Sequence, residues 1–195
     1  MRFHDELDDL LGNPIRVRVL RILARFPGQG FTGRELARRC GSSPSQTNAA
    51  LQPLRDSGVV FLEVAGRSHV WRLSTEHLLS ELLIRMFQGE AGSLGSLRSE
   101  VENLLEKLPV QRAFLFGSVA KGEERPTSDV DLLVQVRSKD AKEQVENALS
   151  AASARFALRF GNALSPLVLD ASQFRKPVNP RLVERVLTQG LELGR

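Results

Sequence analysis

Apolar residues recur every three or four positions in the first fifty residues, which is the spacing of helices. The first such run starts at Pro14, a residue that is favoured in the first turn of a helix, and stops at the Pro-Gly-Gln-Gly sequence of residues 27–30. Five apolar residues are predicted to form its buried face: Ile15, Val19, Ile22, Leu23 and Phe26.

Two further short helices follow, and then the spacing changes to that of strands. Thr32 and Glu35 have the spacing of a capping box, and the helix they open is predicted to end at Cys40-Gly41. A third helix is predicted to begin at Ser42-Ser43-Pro44 and to end at Ser57-Gly58, with Ala50, Leu51 and Leu54 facing inward. Residues 59–64 and 69–73, separated by a turn, are predicted to form a hairpin.

Three short helices and a hairpin over residues 12–73 resemble the winged helix-turn-helix of bacterial regulators. The pattern L-x-x-L-x-x-x-G-V-V, from Leu51 to Val60, carries most of this resemblance. The resemblance implies that the third helix enters the major groove of double-stranded DNA and that the wing contacts the backbone. The DNA-binding residues that it implies are Ser43, Ser45, Gln46, Asn48, Gln52 and, at the wing tip, Arg67.

One residue departs from the winged-helix pattern. Pro53 falls inside the predicted recognition helix, so the helix either kinks there or is regular only in its first turns. Winged helices also serve protein–protein contacts, and this alternative stays open beside DNA binding.

A helical connector is predicted for residues 74–108. Thr75 is predicted to cap a helix carrying Leu78, Leu79, Leu82, Leu83, Met86 and Phe87, and the Gly/Ser-rich stretch 89–96 is predicted to interrupt it. Leucines and a valine at 94, 97, 101, 104 and 108 then follow a heptad spacing over two repeats. This seam either forms a homodimer through the connector, which we favour, or packs on the chain's own C-terminal domain.

Residues 109–195 have the alternation of helix and strand expected of a small α/β domain. Strands are predicted at 112–116, 129–136 and 164–169, and helices at 118–122, 139–160 and 180–191. The first strand ends in Gly117-Ser118, and ten residues later the second opens with Asp129 and Asp131, whose side chains share one face of a strand. Paired carboxylates suit Mg²⁺, and the small-residue turn leaves backbone N–H groups free for a phosphate. The alternative is an acidic pair on an exposed strand end.

This spacing, within the run GSVAKGEERPTSDVDLLV, resembles the signature of the DNA polymerase β-like nucleotidyltransferases, in their minimal stand-alone form. The resemblance implies transfer of an NMP group from an NTP to a hydroxyl. It implies that Asp129 and Asp131 hold Mg²⁺ (or Mn²⁺) and that Gly117 and Ser118 grip the terminal phosphates. Lys121 and Arg125 either steer the triphosphate or are solvated loop charges. The family's third carboxylate is expected in the middle of the strand at 164–169, but apolar residues stand there and Asp170 at the strand's end is the candidate. Either Asp170 reaches the site through a bend or bulge, or the domain binds a nucleotide with one metal and catalyses weakly or not at all.

Composition adds a charge asymmetry. Residues 12–73 contain ten arginines and three acids, about +7, whereas the whole chain carries +4, so the remainder carries about −3. A basic module beside an acidic one suggests a nucleic-acid footprint on the former only. The single cysteine, Cys40, excludes an intramolecular disulfide, and no run of about 18 apolar residues exists. We expect a cytoplasmic protein that does not enter a membrane.

The sequence thus predicts an α+β chain with three parts: a winged helix-turn-helix (1–73), a helical connector (74–108) and a small α/β nucleotidyltransferase domain with a polymerase β palm-like fold (109–195). Two functions are compatible with it. The first is a DNA-binding, Mg²⁺-dependent nucleotidyltransferase, whose acceptor could be a hydroxyl of a partner protein. The second is a transcriptional regulator whose C-terminal domain binds a nucleotide as a sensor without catalysis.

Overall fold

The computed structural model describes residues 11–66, 68–123, 125 and 128–194. The chain divides into two compact units, with the division between Gly92 and Ser93. The predicted mixed α+β class is confirmed, since both units contain helices packed on a small sheet. The wing-tip residue Arg67 lies outside the described residues.

Helix α1 (Pro14–Arg25) belongs to the N-terminal unit, and the side chain of Asn13 caps it by accepting a hydrogen bond from Arg16 N. Its buried face differs from the predicted one. Ile15 and Ile22 are only half-buried, and Phe26 lies beyond the helix end and is exposed. Val19 and Leu23 enter the core, as predicted, and they are joined there by Val17, Leu20 and Ala24 from a neighbouring stripe of the same helix.

The remaining elements of this unit follow the predicted order. Strand β1 (Phe31–Thr32) leads into α2 (Gly33–Cys40), and α3 (Pro44–Asp56) leads into β2 (Val60–Ala65) and β3 (Ser68–Leu73). The three strands form an antiparallel sheet in the order β1-β3-β2. The Thr32–Glu35 capping box is present, as predicted, and Gly41 ends α2 in a left-handed conformation.

Pro53 lies on the exposed side of α3, which nevertheless continues to Asp56. The predicted restriction of regular helix to the first turns is therefore not observed. The proline carbonyl accepts a hydrogen bond from Ser57 N, so the last turn stays closed.

Helix α4 (Ser80–Leu105) runs without interruption through the Gly/Ser-rich stretch 89–96. The predicted break is therefore wrong, because packing overrides the cost of about 1 kcal/mol that each glycine brings to a helix. The helix also starts at Ser80 instead of at Thr75, so Leu78 precedes it and is 91% exposed. Leu82 lies within the helix and is 63% exposed.

The two halves of α4 belong to different cores. Leu83, Ile84, Met86 and Phe87 pack in the core of the N-terminal unit. The heptad seam, in contrast, packs in the core of the C-terminal unit, with Leu97 and Val101 fully buried and Leu94, Leu104 and Leu108 partly so. The seam is thus used within the chain. A homodimer through the connector stays a prediction, and it would need another face of this helix.

The C-terminal unit is built on four strands in the order β6-β5-β4-β7. Strand β4 (Val110–Phe116) runs antiparallel to β5 (Val130–Val136), which pairs in parallel with β6 (Leu164–Leu169). A short strand β7 (Leu191–Glu192) adds to the other edge of β4. The sequence did not predict β7, which is only two residues long.

Helices cover both faces of this sheet. Helix α6 (Lys139–Phe160) buries Val145, Leu149, Ala152 and Phe156 against one face, as its spacing predicted. The other face carries Phe114, Leu133 and Leu169, which pack against Val183 and Val186 of helix α8 (Pro180–Gln189). Two short helices, α5 (Gly117–Lys121) and α7 (Ala171–Arg175), follow β4 and β6. None of the helices in the described ranges has the length and apolarity to cross a bilayer.

Candidate functional site

The candidate site forms where β4 ends beside the start of β5. Phe116, the last residue of β4, pairs with Asp131 on β5, and α5 begins at the next residue, Gly117. Gly117 has a φ of +76°, a region that side chains disfavour. A Cβ on Gly117 would also lie 2.0 Å from Oδ2 of Asp131. The turn and the carboxylate are therefore packed directly against each other, and only glycine allows this approach.

The two predicted metal ligands lie at this same strand end. Asp129 is exposed, whereas Asp131 is partly buried. Burial raises the pKa of Asp131, and the nearby charge of Asp129 raises it further. Within the part of the chain that the structure describes, neither carboxylate has a hydrogen bond or an ion pair. Two repelling oxygen ligands without a compensating cation fit a divalent metal ion.

The loop that carries Asp129 is held from two directions. The Ser128 hydroxyl accepts a hydrogen bond from Arg125 N at 2.9 Å. The Ser128 carbonyl accepts a second bond from the side-chain amide of Asn162, which is 3% exposed. Asn162 follows the C-cap residue of α6, Gly161. Its position was not predicted, because a lone Asn after a helix has no distinctive sequence pattern.

A cavity of about 290 Å³ opens beside this strand end. The three residues that were predicted to contact the nucleotide line it: Gly117, Ser118 and Lys121. Asp131 also lines it, whereas Asp129 does not. Helix α8 contributes Arg185 and Gln189, which sequence reasoning missed. Their spacing of four residues places them on one side of a helix, but nothing in the sequence linked that helix to the motif some 60 residues earlier.

Asp170 lies elsewhere. Strand β6 aligns Ser165 with Asp131, and Asp170 follows five residues later, about 16 Å further along the sheet at 3.3 Å per residue. Its Oδ1 accepts hydrogen bonds from Ser172 N at 2.8 Å and from Gln173 N at 3.0 Å, which caps α7. The Ser172 hydroxyl, and then Gln173 N, lower the pKa of Asp170. This capping role corrects the expectation that Asp170 supplies a third carboxylate.

Two of the predicted DNA-reading residues on α3 are engaged in capping the helix. The Ser43 hydroxyl accepts a hydrogen bond from Gln46 N, and the Gln46 side chain accepts one from Ser43 N, both at 3.2 Å. The other three, Ser45, Asn48 and Gln52, are exposed. The preceding helix α2 adds exposed arginines at 34, 38 and 39, which were counted in the charge of this segment but were not predicted as DNA ligands.

Comparison with known proteins identifies the C-terminal region. Residues 97–186 match the family model of the nucleotidyltransferase domain. The predicted resemblance to nucleotidyltransferases is confirmed. A protein of Methanocaldococcus jannaschii that is provisionally named a protein adenylyltransferase is 26% identical over 96 residues, which are 49% of this chain and 90% of that protein.

Solved structures with some likeness to the chain include two bacterial regulators. MepR of Staphylococcus aureus, a transcription regulator of the multidrug efflux pump MepA, is 20% identical and has a TM-score of 0.39 over 54% of this chain and 79% of its own. Lactococcus lactis ZitR in complex with DNA is 16% identical, with a TM-score of 0.34 over 74% and 75% of the two chains. TM-scores below 0.5 do not establish a shared fold. The winged-helix description therefore rests on the element order and strand pairing of the N-terminal unit.

Proposed function

We propose that the C-terminal unit binds an NTP through a divalent cation and transfers its NMP group to a hydroxyl acceptor. The contact between Gly117 and Asp131 carries this proposal, because it joins a glycine turn directly to a carboxylate that has no ion pair among the described residues. Such a pairing suits a metal-bound polyphosphate, whose oxygens complete the coordination of the ion. The match of this region to the nucleotidyltransferase domain supports the same reaction class.

Each residue of the site has a proposed role that follows from its position. Asp129 and Asp131 would hold Mg²⁺, which neutralises charge on the attacking and leaving oxygens of the reaction. Gly117 and Ser118 present backbone N–H groups to the terminal phosphates, and Lys121 adds a positive charge from the same cavity. Asn162 and Ser128 hold the loop of Asp129 in place, so that the two carboxylates converge without a large rearrangement.

The acceptor that we propose is a hydroxyl of a protein, with ATP as the donor, because the similar M. jannaschii protein bears the name of a protein adenylyltransferase. The test is incubation of the protein with Mg²⁺, α-labelled ATP and a lysate. We expect labelled protein and released pyrophosphate with the wild type and neither with Asp129→Asn. Binding of ATP without label transfer at any lysate concentration would contradict the transferase assignment.

A second candidate function is a nucleotide sensor without catalysis. It is favoured by the residue beside Asp131 on β6, which is Ser165 and not the acid that the family supplies from a neighbouring strand. Among the described residues, no group of three or more His, Cys, Asp or Glu side chains could together hold a metal. If ATP binds without transfer but changes the affinity of the chain for DNA, this second function is the correct one.

For the N-terminal unit we propose binding of double-stranded DNA, with α3 in the major groove. The exposed side chains of Asn48 and Gln52 can contact base edges, and Arg38 of α2 can neutralise a phosphate. The test measures the affinity of the protein for DNA fragments from the promoter region of its own gene at several salt concentrations. A binding constant independent of salt would contradict a DNA interface, since phosphate contacts release counterions.

A further inference from the structure

The cavity beside Asp131 contains a positive charge that the motif does not supply. Arg185 of α8 lines it, 54 residues after Asp131, together with Gln189 one helical turn later. Within the described residues, the Arg185 guanidinium has neither a hydrogen bond nor an ion pair. Although an acidic side chain, Asp131, lines the same cavity, the two do not form a salt bridge.

The fold fixes the position of Arg185. Val183 and Val186, its neighbours in the helix, are buried against Phe114 and Leu133 on the face of the sheet that carries the site. The end of α8 lies close to β4, since a Cβ on Gly190 would meet the Leu115 carbonyl oxygen at 3.3 Å. The root of the Arg185 side chain is therefore held at the rim of the cavity by packing on both sides.

The charges of the cavity lining are balanced only when no metal is present. Lys121 and Arg185 are positive, and Glu123 and Asp131 are negative. A divalent cation on the carboxylates would give the lining a net positive charge, and this favours an anion with several negative charges. Arg is the side chain best suited to such an anion, because its planar guanidinium binds two phosphate oxygens at once.

We propose that Arg185, seated beside Gln189, binds the phosphates of the nucleotide that are not transferred, and so acts as a specificity residue for di- and triphosphates. The proposal rests on the proposed function of the same site. The lining of the cavity supports it: Gly117, Ser118 and Lys121 line the cavity with Arg185. Asp131, one of the two proposed metal ligands, lines it as well, whereas Asp129 does not. Arg185 thus shares one cavity with the residues that we propose to bind the terminal phosphates.

The test is calorimetric titration of the full chain with Mg²⁺ and either ATP or tripolyphosphate, which has no base or sugar. Arg185→Ala should weaken binding of both ligands by about tenfold or more, the usual effect of losing a hydrogen bond to a charged group. Arg181→Ala is the matched control, because Arg181 is an exposed residue of the same helix that does not line the cavity. It should change neither affinity.

The possible failures are distinguishable. A wild type that binds neither ligand in the presence of Mg²⁺ would overturn the proposed function together with this inference. A wild type that binds both, with unchanged affinities in Arg185→Ala, would overturn only the role of Arg185. Arg185→Lys should recover part of the affinity for tripolyphosphate, because lysine keeps the positive charge. Equal losses of affinity in Arg185→Ala and Arg181→Ala would indicate a general effect of helix charge and would also reject the role of Arg185. Circular dichroism checks that the variants fold, as expected for exposed positions.

Discussion

Gly117 and Asp131 touch: a Cβ added to the glycine would lie 2.0 Å from Oδ2 of the aspartate, well inside contact distance. The two residues belong to strands that pair side by side, β4 ending one residue before Gly117 and β5 containing Asp131. The glycine and the second aspartate of the motif are therefore one structural unit, although fourteen positions separate them in the sequence.

Gly117→Ala should abolish Mg²⁺-dependent NTP binding. The new methyl group displaces the Asp131 carboxylate, and the φ of +76° adds backbone strain of about 1 kcal/mol. Gly89→Ala is the control, because Gly89 lies within α4 with no atom within 4 Å of an added Cβ. That change should leave binding intact and stabilise the protein by about 0.5–1 kcal/mol. Calorimetry of binding and thermal denaturation would measure both, and retained binding in Gly117→Ala would contradict the close contact.

Asp131→Asn should raise the melting temperature at pH 7 in the absence of metal, by about 1–2 °C. Burial and the charge of Asp129 raise the pKa of Asp131, so the folded protein favours the protonated carboxyl. The stability associated with this preference is present at low pH and is lost as the pH rises through the raised pKa. The gain from Asn should therefore disappear below about pH 3.8, the ordinary aspartate pKa.

Asp131→Asn also tests whether Mg²⁺ binds at this carboxylate. Mg²⁺ should raise the melting temperature of the wild type, because it binds the folded state, and should not raise that of Asp131→Asn. Equal responses of the two proteins to Mg²⁺ would show that the ion binds elsewhere.

Asp170→Ala should destabilise the protein by about 1 kcal/mol, the usual cost of losing a helix cap. Its carboxylate holds the first N–H groups of α7, at the opposite end of β6 from the position level with Asp131. Mg²⁺-dependent NTP binding should be unchanged. A loss of nucleotidyl transfer at unchanged stability would instead return Asp170 to the catalytic site.

Glu90→Ala should destabilise the N-terminal unit by about 3 kcal/mol, as expected when one partner of a buried ion pair is removed. Glu90 is 6% exposed and accepts hydrogen bonds from the Arg21 guanidinium at 2.6 and 2.8 Å, which fastens α4 to α1. Glu81→Ala is the matched control on the same helix, since the Glu81–Arg85 pair is exposed. Its effect should stay below about 0.5 kcal/mol, and similar losses in urea denaturation of both variants would contradict the prediction.

Gln52→Ala should weaken DNA binding without changing the free energy of unfolding. Gln46→Ala should lower the free energy of unfolding. Gln52 is exposed on α3, but Gln46 is half of the capping box with Ser43. Electrophoretic mobility shifts and thermal denaturation of the two variants would measure the difference. Unchanged DNA affinity in Gln52→Ala would place the interface on another face of the unit.

Local patterns predicted much of the fold, because each depends on a few neighbouring residues. The Thr32–Glu35 capping box, the apolar face of α6 and the hairpin of residues 60–73 are each encoded within a short window. The continuity of α4 was not predictable in this way. Its glycines argue for a break, and only the packing of its two halves in separate cores overrides them.

The candidate site shows the same limit. Gly117, Asp129 and Asp131 were found from the sequence because their spacing follows from two adjacent strands. Arg185 was not, since a helix far along the chain brings it to the cavity. Asp170 was the candidate because the resemblance implies an acid on this strand and Asp170 is the acid at its end. The pairing of β6 with β5 places it away from Asp131.

The sharing of α4 by both cores has a consequence for how such a chain can arise and be divided. A gene for the N-terminal unit alone must end inside this helix, and a gene for the C-terminal unit alone must begin inside it, near the division at Gly92 and Ser93. Each gene must encode the half of α4 that fills the core of its own unit. A split placed before Ser80 or after Leu105 would leave one core open. Recombination that exchanged one unit for another would therefore have to join the two sequences within α4, so that each half of the helix still fills its own core.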